Sequence, residues 1–555
     1  MNKFYYIMDI IFIIIILILI YFSLSQKVRD CKRLKTIYKK IEDIASNHHN
    51  ILLFILFTLM IFTSIYKLGE VPYGMHVDEA GMAYDAYCIA NYGVDRYLNR
   101  FPIYLINYGG GQSAMYSYLA SILIKIFGYS IQIIRLPSVA LRILCFISCF
   151  YIIRNDNSKL KNIIFLFLLS ITPYFIMQSR WGLDCNLLVG FMTIGISFFI
   201  NSILRNNKLI LFLSGFFFGL SLYTYALSYI IIPILLLFIC VYSIYIKKMN
   251  IKDLIIFGVP IILLAIPLML MILVNNNVID EINWIITIPQ LKEYRGSEIS
   301  LSNIFKNIYI FISIFSIDKD PILVYNSIPY FGTIYYFAIP FFLIGFIQGL
   351  KKLKLAFKNK KFEINSIFVF WFFSVLICQL VILDPNINKA NAIFVPILYF
   401  ITTGIFFVCK KKKEILIPIV LIFILNFMLF FNYYYYHYNE EHNNQFFFST
   451  YYSEAIKFSK ELGKSYVFIE NDLTAQEYIY ILLDNSISPY EYKENNIVTT
   501  SNNKTIVYIL GIPEKINIEN VYIVGSNENT LKKFENYKFE YKKFGGLTVF
   551  YNENC

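Results

Sequence analysis

Val71-Pro72-Tyr73-Gly74-Met75-His76-Val77-Asp78-Glu79-Ala80 is the stretch on which the reading of this chain turns. It follows the apolar run 51–66 by a few residues. Two adjacent carboxylates at the mouth of a membrane helix are costly to keep near lipid, so their presence needs a reason. One reason is chemical: a general base must sit beside the hydroxyl whose proton it removes. Another is local: Asp and Glu favour a helix N-terminus, and 80–91 reads as helical.

The rest of the chain sets the surroundings of that pair. Of 555 residues, 57% are hydrophobic and 15% charged, with a mean hydropathy of +0.57. A soluble protein could not hide so much apolar surface. The expected fold class is therefore mainly α, a polytopic transmembrane helical bundle. The 46 Tyr suit headgroup depth, where a ring with a polar tip is comfortable. The net charge of +12 points to cytoplasmic loops, not to nucleic acid. Nine cysteines are scattered without a CxxC, which predicts neither a zinc site nor a disulfide framework. There is no GxxxxGK[ST] loop for a nucleotide.

Apolar runs of about 17–25 residues predict about twelve spans, near 5–24, 51–67, 131–153, 162–178, 187–204, 209–226, 228–246, 254–274, 331–350, 364–383, 393–409 and 415–435. The first lacks a basic leader and a small-residue cleavage site and reads as a retained helix. Basic residues recur in every second loop: Lys27 to Lys40, Arg154 to Lys161, Arg205 and Lys208, Lys247 and Lys248, Lys351 to Lys361, and Lys410 to Lys413. The positive-inside rule puts those loops in the cytoplasm. The loop 68–130 carrying Asp78-Glu79, the turn 179–186, the loop 275–330, the turn 384–391 and the tail then fall outside. Segments 112–128 and 303–317, interrupted by Lys125 and Lys306, read as helices lying on the membrane surface. The expected domains are 1–50 (an extra helix and basic loop), 51–435 (a helical catalytic domain) and 436–555. The last shows an amphipathic helix at 453–462 and β-type runs at 465–470, 505–510, 521–524 and 547–551, a small α/β domain outside the membrane.

Other polar groups could join Asp78 and Glu79. Arg180-Trp181-x-x-Asp184-x-Asn186 sits in a tight turn, where a guanidinium could hold phosphate or simply snorkel. Arg135 lies near the outer end of its span, and Arg142 roughly 10 Å deeper along the helix axis. A charge at that depth faces an aqueous cavity, an anionic headgroup or a structural partner. Asn386-x-Asn388-Lys389-x-Asn391 offers a cation with amides, and also reads as an ordinary polar turn. Tyr223, Tyr225 and Tyr229 could line a sugar pocket or belong to the interfacial belt. His76 could tune the acidic pair or bind metal.

Pro72-x-Gly74-x-His76-x-Asp78-Glu79-Ala80, then Gly93-x-Asp95, then Phe127-Gly128 leading to Arg135-Leu136-Pro137-Ser138, resembles the membrane glycosyltransferases of the GT-C superfamily. More narrowly it resembles the bacterial glycosyltransferase family 39 group, which includes protein O-mannosyltransferases and is similar to aminoarabinose transferases of lipid A modification. The two polar turns, Ser179 to Asn186 and Asn388-Lys389-x-Asn391, also resemble that group. The likeness covers about 50–435. It implies a GT-C bundle whose first large external loop carries the acidic pair and interfacial helices, and a plasma-membrane enzyme taking sugar from a polyprenyl-phosphate donor on the outer face. By the resemblance, Asp78 is the catalytic base of an inverting transfer, with Glu79 beside it. Arg135, Arg180 and Lys389 would bind the donor phosphate, and Asp184, Asn186, Tyr225 and Asn388 the substrate. A divalent metal ion on Asp78 and Asp184 is the one cofactor the resemblance brings. The acceptor would be a hydroxyl of a protein, lipid or cell-envelope glycan. An oligosaccharide ligase of the same superfamily, and a transporter or flippase of lipid-linked sugars, are the alternatives. Transporters often show inverted repeats and mid-membrane charges, whereas here the charges cluster in loops.

Overall fold

A computed structural model describes residues 2–24, 32–155, 158–294, 299–316, 326–440, 447–470, 478–492, 496–501, 504–525 and 528–553. Lys27, Arg29 and parts of the loop 275–330 lie outside the described residues. The chain forms two compact units. The first comprises Met1–Leu68, Pro137–Met269 and Arg295–Tyr436; the second, Gly69–Leu136, Leu270–Tyr294 and His437–Cys555. The acidic loop, read from the sequence together with the helices, is thus grouped with the tail.

The chain is a multi-pass helical membrane protein. Among the described residues nine helices are long and apolar enough to cross a membrane, from Lys3–Ser23 to Lys413–Tyr436. A tenth is reached if Lys35–Asn47 and His49–Ile65, bent by 86°, count as one span. The sequence predicts about twelve, and the difference has local causes. The run 162–178 is cut at Thr172-Pro173 into Lys159–Ile171 and Pro173–Gln178. Proline disfavours a helical residue before it and itself starts a new helix well. The run 209–226 is helical only over Lys208–Ser221, and 14 residues rise about 21 Å, short of a hydrocarbon core of about 30 Å. Met115–Phe127 and Ile304–Ser316, at 13 residues each, are shorter still. Inside the first unit small residues let helices meet at backbone distance: a methyl added to Gly345 would strike the Phe400 carbonyl, and one on Gly404 the Phe341 carbonyl.

The second unit is built on a six-stranded mixed sheet. Across it run Asn496–Ser501, Lys504–Leu510, Tyr466–Ile469, Val521–Val524, Leu547–Tyr551 and Glu540–Phe544. Tyr466–Ile469 is parallel to both neighbours, and the outer pairs are antiparallel. Val467 and Ile469, with Ile506 and Tyr508, are buried on one face of the strands. Phe468 packs on Tyr522, Val524 and Phe534 of the other face. The loop 69–136 contributes helix Val77–Tyr92, the hairpin Tyr104–Asn107/Gly110–Ser113 and helix Met115–Phe127. Tyr480 donates to the Met75 carbonyl (3.0 Å) and Tyr84 to that of Ile487 (3.0 Å), tying loop to tail.

Candidate active site

Helix Val77–Tyr92 begins at the acidic pair. His76 is its N-cap, its Nδ1 accepting from the Asp78 N–H at 3.2 Å. Burial holds the His76 pKa below its ordinary value, against the pull of Asp78 and Glu79. The neutral ring keeps the lone pair that the cap needs. Asp78 and Glu79 occupy the first turn, where the helix dipole favours negative charge.

The two carboxylates then part company. Glu79 is fully buried and paired with Arg135, Nε to Oε1 at 2.8 Å and Nη2 to Oε2 at 3.0 Å. Arg135 also donates to the carbonyls of Pro72 (2.9 Å) and Gly74 (2.7 Å). One guanidinium therefore fixes both the acid and the turn leading to it. Asp78 keeps 44% of its side chain exposed. Its Oδ1 accepts from Asn107 Nδ2 at 3.3 Å, and Tyr108 donates to the Val77 carbonyl at 2.9 Å. Both partners stand at the tip of the hairpin, whose two-residue turn Tyr108-Gly109 has positive φ at both positions (48° and 84°). That is the twist-matched turn for a two-residue hairpin.

Two glycines allow this closeness. Gly74 has φ +83°, and a methyl there would strike the Phe448 carbonyl, which accepts from the Met75 N–H at 2.9 Å. At Gly81, a Cβ would lie 2.8 Å from Arg96 Nη2 and 2.9 Å from Asn107 Oδ1. Arg96 forms a second buried fork, Nε to Asp85 Oδ1 at 3.0 Å and Nη2 to Oδ2 at 2.7 Å. Asp95 accepts from the N–H groups of Tyr97 and Asn99 and from Asn99 Nδ2. Its carboxyl is pushed up to about 6, first by burial and then by the charge of Asp85.

The remaining predicted residues belong to the first unit. Arg180 is wholly buried and donates to the carbonyls of Thr63, Ser64 and Lys67 at 3.4, 3.1 and 2.6 Å. It lies over the ring of Tyr435 at 4.9 Å. Here it caps the C-terminus of helix His49–Ile65, where a cation suits the dipole. Asp184 caps Cys185–Arg205 by accepting from the Cys185 N–H at 2.7 Å. Asn186, also buried, donates to the carbonyls of Gln178 and Trp181. Lys389 Nζ donates to the Leu383 carbonyl at 2.7 Å, and Asn391 to that of Cys185. Asn388 and Tyr225 are half-buried. Arg142 turns to Ser64 Oγ (2.8 Å) and the Ser170 carbonyl (2.9 Å), polar groups of its own bundle.

The sequence-predicted set is thus sorted. The structure brings Asp78, Glu79 and Arg135 together. It gives Arg135 and Arg180 buried protein partners where a donor phosphate was expected. Among the described residues no three of His, Cys, Asp and Glu gather to hold a metal ion, and Asp184 spends an oxygen on its helix. Among the described residues, Asp78 and Asp184 therefore gather no third ligand of these types for a metal ion. Sequence reasoning missed Asn107, Tyr108, Asp85 and Arg96. The sequence Asn107-Tyr108-Gly109-Gly110 carried a hairpin signal that could have found the first two.

Residues 112–274 match the family described as Dolichyl-phosphate-mannose-protein mannosyltransferase. The fold is similar to that of ArnT from Cupriavidus metallidurans bound to undecaprenyl phosphate, with a TM-score of 0.51 over 91% of this chain and 98% of that one, at 10% identity. This chain has the GT-C fold. It also resembles the archaeal oligosaccharyltransferase AglB from Archaeoglobus fulgidus, solved with an inhibitory peptide and a dolichol-phosphate, with a TM-score of 0.46 at 12% identity over 80% of this chain. The chain spans 64% of AglB, just under two thirds of its length. No curated protein matches the sequence significantly. The GT-C bundle with its extra α/β region, expected from the sequence, is the fold observed.

Proposed function

We propose that this protein is a membrane glycosyltransferase that moves a sugar from a polyprenyl-phosphate donor to an acceptor hydroxyl, with Asp78 as the base. The observation that carries the assignment is the unequal fate of the two acids. Glu79 is consumed by Arg135, whereas Asp78 stands half-open at the same helix start. The fold and the mannosyltransferase-family segment support the reaction class. ArnT was solved with undecaprenyl phosphate, which supports a lipid-phosphate donor.

In this reading the acceptor oxygen attacks the anomeric carbon as its proton passes to the Asp78 carboxylate. The bond from that carbon to the phosphate oxygen breaks on the opposite side, so configuration inverts and polyprenyl phosphate leaves. Asn107 fixes the rotamer of Asp78 so that proton transfer starts from one geometry. Glu79 and Arg135 act as positioning residues. Lys389 is the cation proposed to meet the donor phosphate, a role that its point charge suits. Asp184, Asn186, Asn388 and Tyr225 are the proposed substrate-binding residues. The basic loops support an orientation with the acidic loop and the tail on the outer face of the plasma membrane.

The test is to supply membranes carrying the full chain with polyprenyl-phosphate sugars and, separately, nucleotide sugars. Transfer with release of polyprenyl phosphate from the first alone is expected. Transfer from nucleotide sugars would overturn the donor. Movement of lipid-linked sugar between leaflets without transfer would favour a flippase.

A further inference from the structure

One cleft in the second unit lies in the tail, far along the sequence from the acidic loop. It has a volume of about 800 Å³ and opens to solvent. Its origin is topological. Strands Lys504–Leu510 and Val521–Val524 both run parallel to Tyr466–Ile469, which lies between them. A crossover between parallel strands normally carries a helix that covers the sheet. Here the crossover is the segment 511–520, which contains no helix. It reaches the sheet through Ile512 and Ile516, which pack on Tyr522, Val524 and Phe534, and leaves Tyr466 and Thr505 exposed at the starts of their strands.

What lines the bare part is chemically specific. Tyr466 is 46% exposed, and Phe468 follows on the same face. Around them stand Lys464, Thr505, Glu519 and Asn520, so polar and apolar walls share the cleft. One ammonium and one carboxylate balance, which gives no preference for an anion or a cation. A hydroxyl, an amide and a carboxylate suit a ligand that both donates and accepts hydrogen bonds. An open aromatic face suits a ligand with a flat apolar side. Neutral pyranose chains have both properties, with axial C–H faces and a rim of hydroxyls. The volume falls within the range of small-molecule sites, about 300–1,000 Å³, and admits a short oligosaccharide.

We propose that this cleft binds a neutral oligosaccharide, with Tyr466 as the stacking platform and Glu519, Asn520 and Thr505 as hydroxyl partners. It would hold a glycan close to an enzyme that works on sugars.

The test is binding without donor, so its outcome stands whatever the transfer assay gives. The full-length protein in lipid nanodiscs is titrated with maltotetraose, cellotetraose, mannotetraose and chitotetraose, with saturation-transfer NMR as the readout. Saturable binding of at least one is expected. Tyr466→Ala should weaken it tenfold or more, Glu519→Gln severalfold, and Tyr466→Phe little, because the ring face is retained. Circular dichroism and thermal midpoints confirm that the variants fold. No saturable binding of any of the four would overturn the proposal, as would binding that Tyr466→Ala leaves unchanged in a folded variant.

Discussion

Glu79 and Arg135 face each other through two parallel hydrogen bonds, 2.8 and 3.0 Å long, with neither side chain exposed to solvent. Removing one partner strands the other charge in the interior, which costs about 3–5 kcal/mol. Glu79→Gln and Arg135→Met should each lower the thermal midpoint of the purified protein and reduce transfer at least tenfold. The double variant should lose less than the sum of the two, because no orphan charge remains. Strictly additive losses across the four proteins would show that the pair is not coupled.

Arg180 and Lys389 should separate in kinetics. Arg180 gives its N–H groups to the Ser64 and Lys67 carbonyls, so Arg180→Ala should lower the thermal midpoint by several degrees and leave the donor KM unchanged. Lys389→Ala should do the reverse, raising donor KM severalfold with little change in midpoint. A higher donor KM in Arg180→Ala at unchanged stability would return Arg180 to the donor phosphate.

Gly74 couples the acidic loop to the tail. Its φ of +83° and its contact with the Phe448 carbonyl leave no room for a side chain. Gly74→Ala is expected to reduce both folded yield and transfer, through strain of about 1–3 kcal/mol together with the displaced Phe448 backbone. Limited proteolysis should show the tail cut faster than in the wild type. Unchanged cleavage would mean that the tail does not depend on this contact.

Asp95 predicts a pH effect of definite sign. Its pKa is raised to about 6 in the folded chain, by burial first and Asp85 second, against about 3.9 when unfolded. The native state therefore binds the proton more tightly. The stability this contributes is fully present below about pH 4 and lost as pH rises through about 6, a change of about 2–3 kcal/mol. The fall in thermal midpoint between pH 4.5 and 7 should be smaller in Asp95→Asn than in the wild type. Equal falls would contradict the assignment.

How far the sequence disclosed all this depended on the range of the interactions involved. Helix positions follow from local hydropathy, and helix occurs in all twelve predicted spans. What hydropathy misses is a break inside an apolar run, such as Thr172-Pro173. In the tail the four runs read as strands are the four inner strands of the sheet. The two missed, Asn496–Ser501 and Glu540–Phe544, are its edges. Edge strands carry polar and charged residues that protect them from pairing with other chains, so no buried alternation marks them. At the site, adjacency gave Asp78 and Glu79 together but could not tell them apart. The distinction comes from Arg135, 56 residues away, and from a hairpin tip at Asn107. Arg180 and Asp184 looked like ligands for the same reason that they make good caps: a charge at a helix end serves either purpose.

The central claim is that the half-exposed Asp78, and not its buried neighbour, takes the proton. The most direct measurement is single-turnover sugar transfer by Asp78→Asn in nanodiscs, with donor binding and thermal midpoint measured on the same preparation. General-base catalysis contributes about 10²–10⁴-fold. The account predicts a loss of that size with donor affinity and midpoint retained, since Asn can still accept from Asn107. Transfer at the wild-type rate in Asp78→Asn would contradict it.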